Sequence, residues 1–320
     1  MKDLVSTRNS LRVMVLNAQD LFLFADKYVP EQGPIQDLSE IKWQLMSSSL
    51  FMNKSKKKCF ELALAIKRED VDIVMITEVG GVESLDNFSN FFLDGAFKAY
   101  SLPSHSDRGI DLGYLVKREL PFGTELKSYF DYKLPAPSHF FSRDVLQLDL
   151  LLNHERQVTF LLTHIKSKLD LRKTDFEGRK RRKHEIEALI DIYLSLQKDN
   201  IPVLIGGDFN GIALEDQTEE EFKPIYEKTH LRDVAQLSGI PVEDRLTYQY
   251  VTRGGVAISQ QLDYLFIDKK WEELLVKEKT SFLRYFDSEG RLIPLAKRHD
   301  QKSLQPSDHF PLLAEIKLKL

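Results

Sequence analysis

The sequence predicts an α/β fold in which two mixed β-sheets are stacked on each other and helices cover their outer faces. Strands are indicated by short apolar runs that contain many β-branched residues. Eight such runs lie at 12–16, 71–77, 110–116, 145–152, 158–163, 201–205, 261–267 and 310–316. Because few helical patterns lie between so many strands, two stacked sheets are favoured over a single doubly wound sheet.

The spacing of apolar residues predicts two longer helices. One follows the basic residues at 179–183, and the other begins near KSKKK at 54–58, which we interpret as the solvated start of a helix. The apolar positions expected to face the core are Ile186, Leu189, Ile190, Tyr193 and Leu194 in the first helix, and Phe60, Leu62, Leu64 and Ile66 in the second. A short polar turn separates the runs at 145–152 and 158–163, which predicts an antiparallel hairpin and therefore a mixed sheet.

The composition is that of a globular protein with an ample core, since 42% of the 320 residues are hydrophobic and 29% are charged. No low-complexity linker or Pro/Gly-rich boundary divides the chain, so we expect a single domain over 1–320 and a monomer. The formal net charge is −4. Attraction to phosphate must therefore come from local patches rather than from the molecule as a whole.

Signals for localisation are few. The N-terminus has no apolar signal region followed by a small-residue cleavage site, and no stretch is long enough to span a bilayer. The single cysteine, Cys59, fits a reducing compartment. We therefore expect a cytoplasmic protein without stable membrane association, with export after removal of a leader as the alternative.

Polar residues stand at the ends of the predicted strands. The segment IPVLIGGDFNG at 201–211 passes from a buried strand directly to Asp208 and Asn210, which either a plain turn or a catalytic edge explains. Comparable positions hold Asn17, Gln19, Glu78, His164, Lys166, Asp263, Asp308 and His309. Carboxylates bind Mg²⁺, a His–Asp pair handles protons, and amides or basic groups bind phosphate oxygens. Together these residue types indicate metal-assisted cleavage of a phosphate ester.

A series of short motifs extends over nearly the whole chain. In order, they are LNAQ, TE, RGID, SRDVLQL, THIKSK, GDFN, LDY and SDHFP. This series resembles the endonuclease/exonuclease/phosphatase superfamily. The resemblance implies the DNase I-like fold, a four-layer α/β sandwich of two stacked mixed β-sheets flanked by helices. It also implies hydrolysis of a phosphate ester, with Mg²⁺ as the cofactor and Mn²⁺ as a substitute.

The resemblance further implies roles for individual residues. Glu78 would be the principal metal ligand, and Asn17 would lie beside that ion and the phosphate, as a ligand and a substrate contact. Asp308 would lie near the metal or hold a second ion. Asp208 and Asn210 would position or activate the attacking water and hold the scissile phosphate.

Two imidazoles complete the site that the resemblance implies. His309 would contact the phosphate while Asp263 fixes its tautomer, and His164 would make a second contact. The resemblance does not decide whether Asp208 or His309 is the general base. The resemblance also indicates that Asp111 orients His164.

Three further features bear on the phosphate and the metal. The resemblance places Arg143 near the scissile phosphate, and Lys166 is a further candidate phosphate contact. Gln19 stands where several relatives carry an acidic residue, which argues against a second firmly held ion. The segment from Lys166 to Lys183 has nine basic and three acidic residues and is either a solvated helix start or a track for a polyanion.

Among substrates, a nuclease that cleaves DNA or RNA by in-line attack of an activated water is the first choice. A phosphomonoesterase or a phospholipid (sphingomyelinase-like) diesterase is the alternative of the same mechanism. No pair of exposed aromatic residues in a short turn indicates a membrane-binding hairpin, which disfavours the lipid. A non-catalytic member that binds nucleic acid or protein is the alternative from another class.

Overall fold

Strands dominate the chain, as the computed structural model shows for residues 9–136, 138–169, 174–252 and 254–318. The strands are β1 (Ser10–Leu21), β2 (Ile73–Val79), β3 (Phe97–Leu102), β4 (Asp111–Lys117), β5 (Gly123–Ser128), β6 (Val145–Leu152), β7 (Glu155–His164), β8 (Val203–Asp208), β9 (Leu231–Asp233), β10 (Tyr248–Val251), β11 (Ala257–Gln260), β12 (Asp263–Asp268), β13 (Ser281–Phe282) and β14 (Leu312–Lys317). The α-helices are α1 (Glu40–Leu45), α2 (Lys56–Arg68), α3 (Gly81–Phe92), α4 (Arg179–Leu196), α5 (Lys223–Glu227), α6 (Val234–Leu237) and α7 (His299–Lys302).

The long strands form two six-stranded sheets. The first has the order β13-β14-β1-β2-β4-β3, and the second has the order β5-β6-β7-β8-β12-β9. Strands β1 and β2 pair in parallel, as do β7 and β8. The other neighbours within these sheets are antiparallel, which includes the predicted hairpin of β6 and β7. Both sheets are therefore mixed, and β10 and β11 form a separate hairpin.

Apolar side chains from the two sheets meet in a central layer. Val13 and Ile73 of the first sheet and Phe160 and Leu204 of the second belong to one buried cluster. The outer face of the first sheet packs on α2 and α3, and the outer face of the second packs on α4 and α5. The order helix, sheet, sheet, helix confirms the predicted four-layer sandwich. No helix in the described ranges is long and apolar enough to cross a membrane.

All eight predicted strands are present, as β1, β2, β4, β6, β7, β8, β12 and β14. The strands that the sequence did not indicate are short or lie at the surface. In β3 buried and exposed positions alternate, and β5 has no buried residue. Such strands carry polar side chains on the solvent face, so no continuous apolar run marks them.

Both predicted helices form, as α2 and α4. Helix α2 begins after Ser55, whose side chain accepts a hydrogen bond from the Lys58 N–H. Two of the expected core positions are wrong, since Phe60 and Leu194 are 42% and 41% exposed. Lys54 is buried rather than solvated, and its Nζ donates to a backbone carbonyl oxygen of β1 at 2.8 Å.

Two glycines allow β8 to reach the edge of its sheet. A Cβ on Gly206 would lie 3.0 Å from Met75 Cε and 3.1 Å from Val15 Cγ2 in the facing sheet. Gly207 has a φ of 134°, and a Cβ there would lie 1.9 Å from the carbonyl oxygen of Thr163 in β7. To relieve this overlap, strands β7 and β8 would have to move apart, and they would then lose the hydrogen bonds between them. Glycine at 207 therefore sets the position of the residue that follows it.

We expect Gly207→Ala to lower the free energy of unfolding by about 3 kcal/mol or more, because the methyl group overlaps a backbone atom at an unfavourable φ. Urea unfolding followed by circular dichroism measures the change. Gly254→Ala is the matched control, since its Cβ would come no closer than 3.8 Å to a neighbouring side chain. Equal, small effects of both substitutions would contradict this account.

Candidate active site

Strand ends from both sheets meet at one place. The strand register places Asp208 at the end of β8 opposite His164 in the parallel strand β7 and opposite Asp263 in the antiparallel strand β12. Asn17 in β1 and Glu78 in β2 reach the same place from the first sheet. The structure therefore brings together five of the site residues that the sequence predicts.

The carboxylate of Asp208 lies at the centre of this group. Its Oδ1 accepts from the Asn210 N–H at 2.8 Å, and its Oδ2 accepts from Nδ2 of Asn17 at 3.0 Å and of Asn210 at 3.3 Å. Nε2 of His164 and Nε2 of His309 lie 3.5 Å and 3.8 Å from the same Oδ2. Burial raises the pKa of Asp208 to about 7, although the His309 cation opposes this shift. This carboxyl group is therefore able to exchange a proton near neutral pH.

Asn17 connects the two sheets. Its Oδ1 accepts a hydrogen bond from the Gln19 N–H at 2.9 Å, which fixes the orientation of the amide. Its Nδ2 consequently faces Glu78 at 3.3 Å and Asp208 at 3.0 Å. Because hard cations take oxygen ligands, this geometry does not match the predicted role of Asn17 as a metal ligand. Asn17 instead bridges two carboxylates as a donor.

Glu78 has the properties of a ligand for a hard cation. Its backbone is left-handed, with a φ of 60°, a conformation that is uncommon outside glycine and is frequent at functional sites. Its Oε2 accepts from the Asp20 N–H at 3.2 Å and lies 3.9 Å from Nη2 of Arg108. The side chain is 13% exposed. Since Mg²⁺ commonly takes one or two carboxylates and keeps several waters, Glu78 fits such an ion.

A second group with metal-ligand chemistry lies deeper. Asp208, Asp263 and His309 have ligand atoms within 4.8 Å of one another, so this buried cluster is able to hold a metal ion. The same cluster is also able to hold a proton on His309, because Nδ1 of His309 lies within hydrogen-bond distance of Oδ2 of Asp263, at 2.7 Å. Burial lowers the pKa of His309, but the charges of Asp263 and Asp208 outweigh burial and raise it to about 10. A protonated imidazole repels a cation and attracts a phosphate oxygen.

His164 has the opposite protonation state. Burial, followed by the nearby charges of Arg143 and His309, holds the pKa of His164 well below its ordinary value. Its Nδ1 has no hydrogen-bond partner among the described residues. The prediction that Asp111 orients His164 is wrong, because Asp111 accepts the Ser104 N–H at 2.9 Å instead. His164 is therefore a neutral imidazole.

Arg143 gives the strongest indication of an anion site. The residue is 7% exposed, and its Nε has no hydrogen-bond partner in the described ranges. A long 3.4 Å contact joins its Nη1 to Ser142 Oγ. Burial lowers the pKa of the guanidinium, but an arginine stays charged at neutral pH. A buried cation without a carboxylate partner is costly, and a bound anion would remove that cost.

Lys166 and Asp308 already have partners. Nζ of Lys166 donates to the carbonyl oxygens of Ser167 at 3.0 Å and of Leu169 at 2.5 Å, so it turns toward its own loop. This differs from the predicted contact with phosphate. Asp308 also differs from a free metal ligand, because its Oδ2 lies 2.8 Å from Nζ of Lys302.

The turn that carries His309 is held against β1. Ser307 Oγ donates to the carbonyl oxygen of Asn17 at 2.8 Å and accepts the His309 N–H at 3.0 Å. The Asp308 N–H donates to Oε1 of Gln19 at 3.1 Å. The amide at position 19, which departs from the family pattern, therefore holds this turn in place.

Glu185 in α4 belongs to the site's support and was missed from the sequence. It is 1% exposed, and its two carboxylate oxygens accept the backbone N–H groups of Ser142 and Lys166, each at 2.7 Å. These groups lie next to Arg143 and close to the end of β7. The available signal was an acidic residue within the apolar pattern of a helix, since a buried carboxylate needs donors.

The basic segment between Lys166 and Lys183 is largely engaged with acidic partners. Four of its residues, 170–173, lie outside the described residues. Arg182 is fully buried and pairs with Glu221 at 2.5 Å, and Lys168 pairs with Glu219 at 2.5 Å. The described part therefore resembles a structural network more than a free cationic track.

Solved structures match the chain over almost its full length, whereas no protein-family model and no curated protein matches it. Truncated Caenorhabditis elegans TDP2 gives a TM-score of 0.57 at 16% identity and covers 96% of this chain and 98% of its own. The human Nocturnin catalytic domain with bound sulfate gives a TM-score of 0.57 at 16% identity, and the match covers 98% of this chain and 96% of that domain. An endonuclease/exonuclease/phosphatase from Bacteroides vulgatus gives a TM-score of 0.54 at 11% identity, and the match covers 97% of this chain and 99% of that protein. The chain has the DNase I-like fold.

The DNase I-like fold confirms the resemblance to the endonuclease/exonuclease/phosphatase superfamily at the level of architecture. The matched structures align with 96–98% of this chain. At identities this low a fold does not specify an activity. The activity depends instead on the side chains at the strand ends.

We expect His309 of the metal-free protein to stay protonated through neutral pH and to titrate near pH 10. Its folded pKa exceeds the unfolded value of about 6.5. The stabilisation is therefore complete below that value and is lost as the pH rises toward 10. NMR titration of the histidine side chains measures this pKa.

His309→Gln assigns the NMR signal by removing it. Asp263→Asn should lower the pKa of His309, because it removes the nearest negative charge. Titration of the wild-type signal below pH 7 would show that the Asp263 contact does not hold the proton.

We expect Glu185→Ala to lower the free energy of unfolding by about 2–4 kcal/mol, because the two half-buried N–H groups of Ser142 and Lys166 lose their acceptor. Glu185→Gln keeps one carbonyl acceptor and should fall between wild type and Glu185→Ala. Urea unfolding measures all three. Glu187→Ala on the same helix is the control, and a loss as large as that of Glu185→Ala would rule out a specific role for the Glu185 contacts.

Proposed function

We propose that this chain is one catalytic domain over 1–320 that hydrolyses phosphodiesters with a divalent metal ion, and that its substrate is a nucleic acid. The observation that carries the proposal is the buried guanidinium of Arg143 beside the strand ends, whose Nε has no hydrogen-bond partner among the described residues. Glu78 offers a metal ligand, Asp208 offers a base, and His309 offers a second cation at the same place. These are the groups that cleavage of a phosphodiester requires.

In the proposed reaction, Arg143 and the His309 imidazolium bind non-bridging oxygens of the scissile phosphate and stabilise the charge that builds up on them. As the water oxygen bonds to phosphorus, Asp208 takes up a proton from the water and the P–O ester bond opposite breaks. The leaving oxygen takes up a proton from solvent. Glu78 is the residue that would hold Mg²⁺, or Mn²⁺ as a substitute. When bound, the ion supplies Lewis-acid polarisation of the phosphate. The neutral imidazole of His164 donates one further hydrogen bond, and Asn210 orients the water for in-line attack.

We assign the general base to Asp208 rather than to His309. Burial lowers the pKa of His309, but the charges of Asp263 and Asp208 raise it to about 10, so the ring is an imidazolium without a free lone pair at neutral pH. The pKa of Asp208 is raised to about 7, which matches a base that works near neutral pH. Asn17 positions this base through its Nδ2.

A nucleic acid substrate is supported by aromatic rings around the site. The Tyr248 ring lies 4.8 Å from His309 and is stacked with Tyr250 at 5.9 Å. On another loop His105 stacks with Phe130 at 3.7 Å. Nucleic-acid bases stack on such rings with little sequence preference. The fold analogy agrees, since D. rerio TDP2 has been solved in complex with a single-strand DNA product.

A phospholipid diester is the second candidate, and an apolar loop favours it. Leu50, Phe51 and Met52 are 101%, 45% and 77% exposed. Phe51 lies against Gly109, next to Arg108. Exposed apolar side chains on a loop tip are suited to entering a lipid surface. The sequence did not indicate this loop, which holds one aromatic residue and not the pair whose absence disfavoured a lipid substrate.

A hydrolysis panel tests the proposal. Its substrates are supercoiled plasmid, single-stranded DNA, RNA, a chromogenic nucleotide diester, sphingomyelin and an inositol polyphosphate, each with Mg²⁺ or Mn²⁺. We expect metal-dependent cleavage of a nucleic acid, with kcat reduced about 10²–10⁴-fold in Asp208→Asn and His309→Gln. Activity should rise as Asp208 deprotonates near pH 7 and should fall as His309 loses its proton near pH 10.

The exposed His230 supplies a matched control, since His230→Gln should leave the activity unchanged. Cleavage of sphingomyelin alone would move the second candidate to first place. Release of phosphate from the inositol polyphosphate alone would identify a phosphomonoesterase. Silence across the panel, with all variants folded, would favour the non-catalytic binding protein.

A further inference from the structure

Strand β1 is irregular next to the candidate active site. Its pairing with β2 runs from Val13 to Asn17 and resumes only at Leu21. Between these pairs, Gln19 and Asp20 have left-handed backbones, with φ angles of 49° and 56°. Residues with side chains rarely adopt this conformation, and it persists only where neighbouring groups fix it. We call residues 18–20 the β1 bulge.

The β1 bulge contacts the candidate active site at three points. The Gln19 N–H donates to Oδ1 of Asn17 at 2.9 Å. The Asp20 N–H donates to Oε2 of Glu78 at 3.2 Å. Oε1 of Gln19 accepts the Asp308 N–H at 3.1 Å. A displacement of the bulge would therefore be transmitted to all three of these residues.

A buried lysine holds the β1 bulge from the side of the core. Lys54 is 8% exposed, and its Nζ donates to the backbone carbonyl oxygen of Gln19 at 2.8 Å. Its own backbone is fixed as well, because its N–H donates to the carbonyl oxygen of Phe22 at 2.8 Å and its carbonyl oxygen accepts from Nε1 of Trp43 at 2.9 Å. No carboxylate in the described ranges forms an ion pair with Lys54, and burial lowers its pKa to about 8. Since a buried cation without such a partner is costly, the contact with Gln19 is a candidate for a specific role.

We propose that Lys54 is a positioning residue for the candidate active site: it fixes the β1 bulge, and through Gln19 it holds the turn that carries His309. Lys54 donates to a backbone oxygen and not to substrate, so its effect on the reaction is indirect. Ser307 attaches the same turn to β1 through a separate hydrogen bond. Loss of the Lys54 contact should therefore loosen the turn without releasing it. The inference rests on the proposed function only where catalysis is measured.

Amide hydrogen exchange of the metal-free 320-residue chain, followed by NMR, tests the inference without substrate. Lys54→Met keeps an apolar side chain of similar length and removes the donor. We expect the N–H groups of Gln19, Asp20 and Asp308 to exchange about tenfold faster in this variant, as the loss of one hydrogen bond implies. The N–H groups of β12 should keep their wild-type rates. A general loss of stability would accelerate both sets.

Two further variants isolate the connection. In Gln19→Ala the Asp308 N–H loses its acceptor and should exchange about tenfold faster. Adding Lys54→Met to Gln19→Ala should accelerate this N–H by no more than about twofold, because both substitutions act on the same contact. Lys57→Met is the matched control, since Lys57 lies at the start of the same helix with a side chain that is 70% exposed. It should leave all of these rates at the wild-type values.

Circular dichroism checks that every variant is folded. If Lys54→Met is unfolded, Lys54→Gln takes its place, because its side chain is uncharged and one bond shorter but remains polar. It should accelerate the same three N–H groups and spare those of β12.

Hydrolysis of the chromogenic nucleotide diester with Mn²⁺ adds a catalytic measurement. In Lys54→Met, kcat should fall about tenfold with KM unchanged, because the groups that act in the transition state lose their alignment. Unchanged exchange at Asp308, equal acceleration throughout β12, or an unchanged kcat would overturn the inference and leave the proposed function standing. A wild type that cleaves no substrate of the panel would overturn the proposed function, and the exchange rates would still decide whether Lys54 holds the turn.

Discussion

Two carboxylates are placed side by side at the centre of the site, out of contact with water. Asp208 and Asp263 occupy opposite positions on paired strands, and each is 1% exposed. Two negative charges in such surroundings would force one of them to take up a proton. His309 reduces the conflict, since its ring nitrogens lie 2.7 Å from Asp263 and 3.8 Å from Asp208. One positive charge between two negative ones is the arrangement on which the remaining geometry depends.

The positive charge of His309 must be held in place by the first sheet, because the turn that carries His309 is not part of a strand. Ser307 attaches the turn to the backbone of Asn17, and the side chain of Asn17 reaches both Asp208 and Glu78. Asp208 and Glu78, the proposed base and the proposed metal ligand, are therefore positioned by the same residue. The left-handed backbone at Glu78 is tolerated because these contacts over-determine its position.

Sequence reasoning located the strand ends because a buried strand requires an apolar run, and polar residues mark where that run stops. Strand pairing brings Asp208 and Asp263 together, but the apolar pattern did not indicate which of these strands pair, and only the family resemblance implied that both residues share one site. The partners of individual side chains could not be predicted from the sequence pattern. Asp111 and Lys166 stand where expected but bond to local backbone groups. Glu185 was missed because its partners are 43 and 19 residues away, and no local pattern encodes such a pairing.

The distribution of charge indicates how a substrate of the proposed kind is held. The cations at the centre, Arg143 and His309, are buried. Two cations of the basic segment, Arg182 and Lys168, are instead paired with acidic partners. Release of counterions from a polyanion requires free surface cations, and the net charge of −4 works against attraction at long range. Binding energy is therefore concentrated on the scissile phosphate and the rings beside it, so affinity depends less on salt than in a protein that follows a long stretch of phosphate backbone.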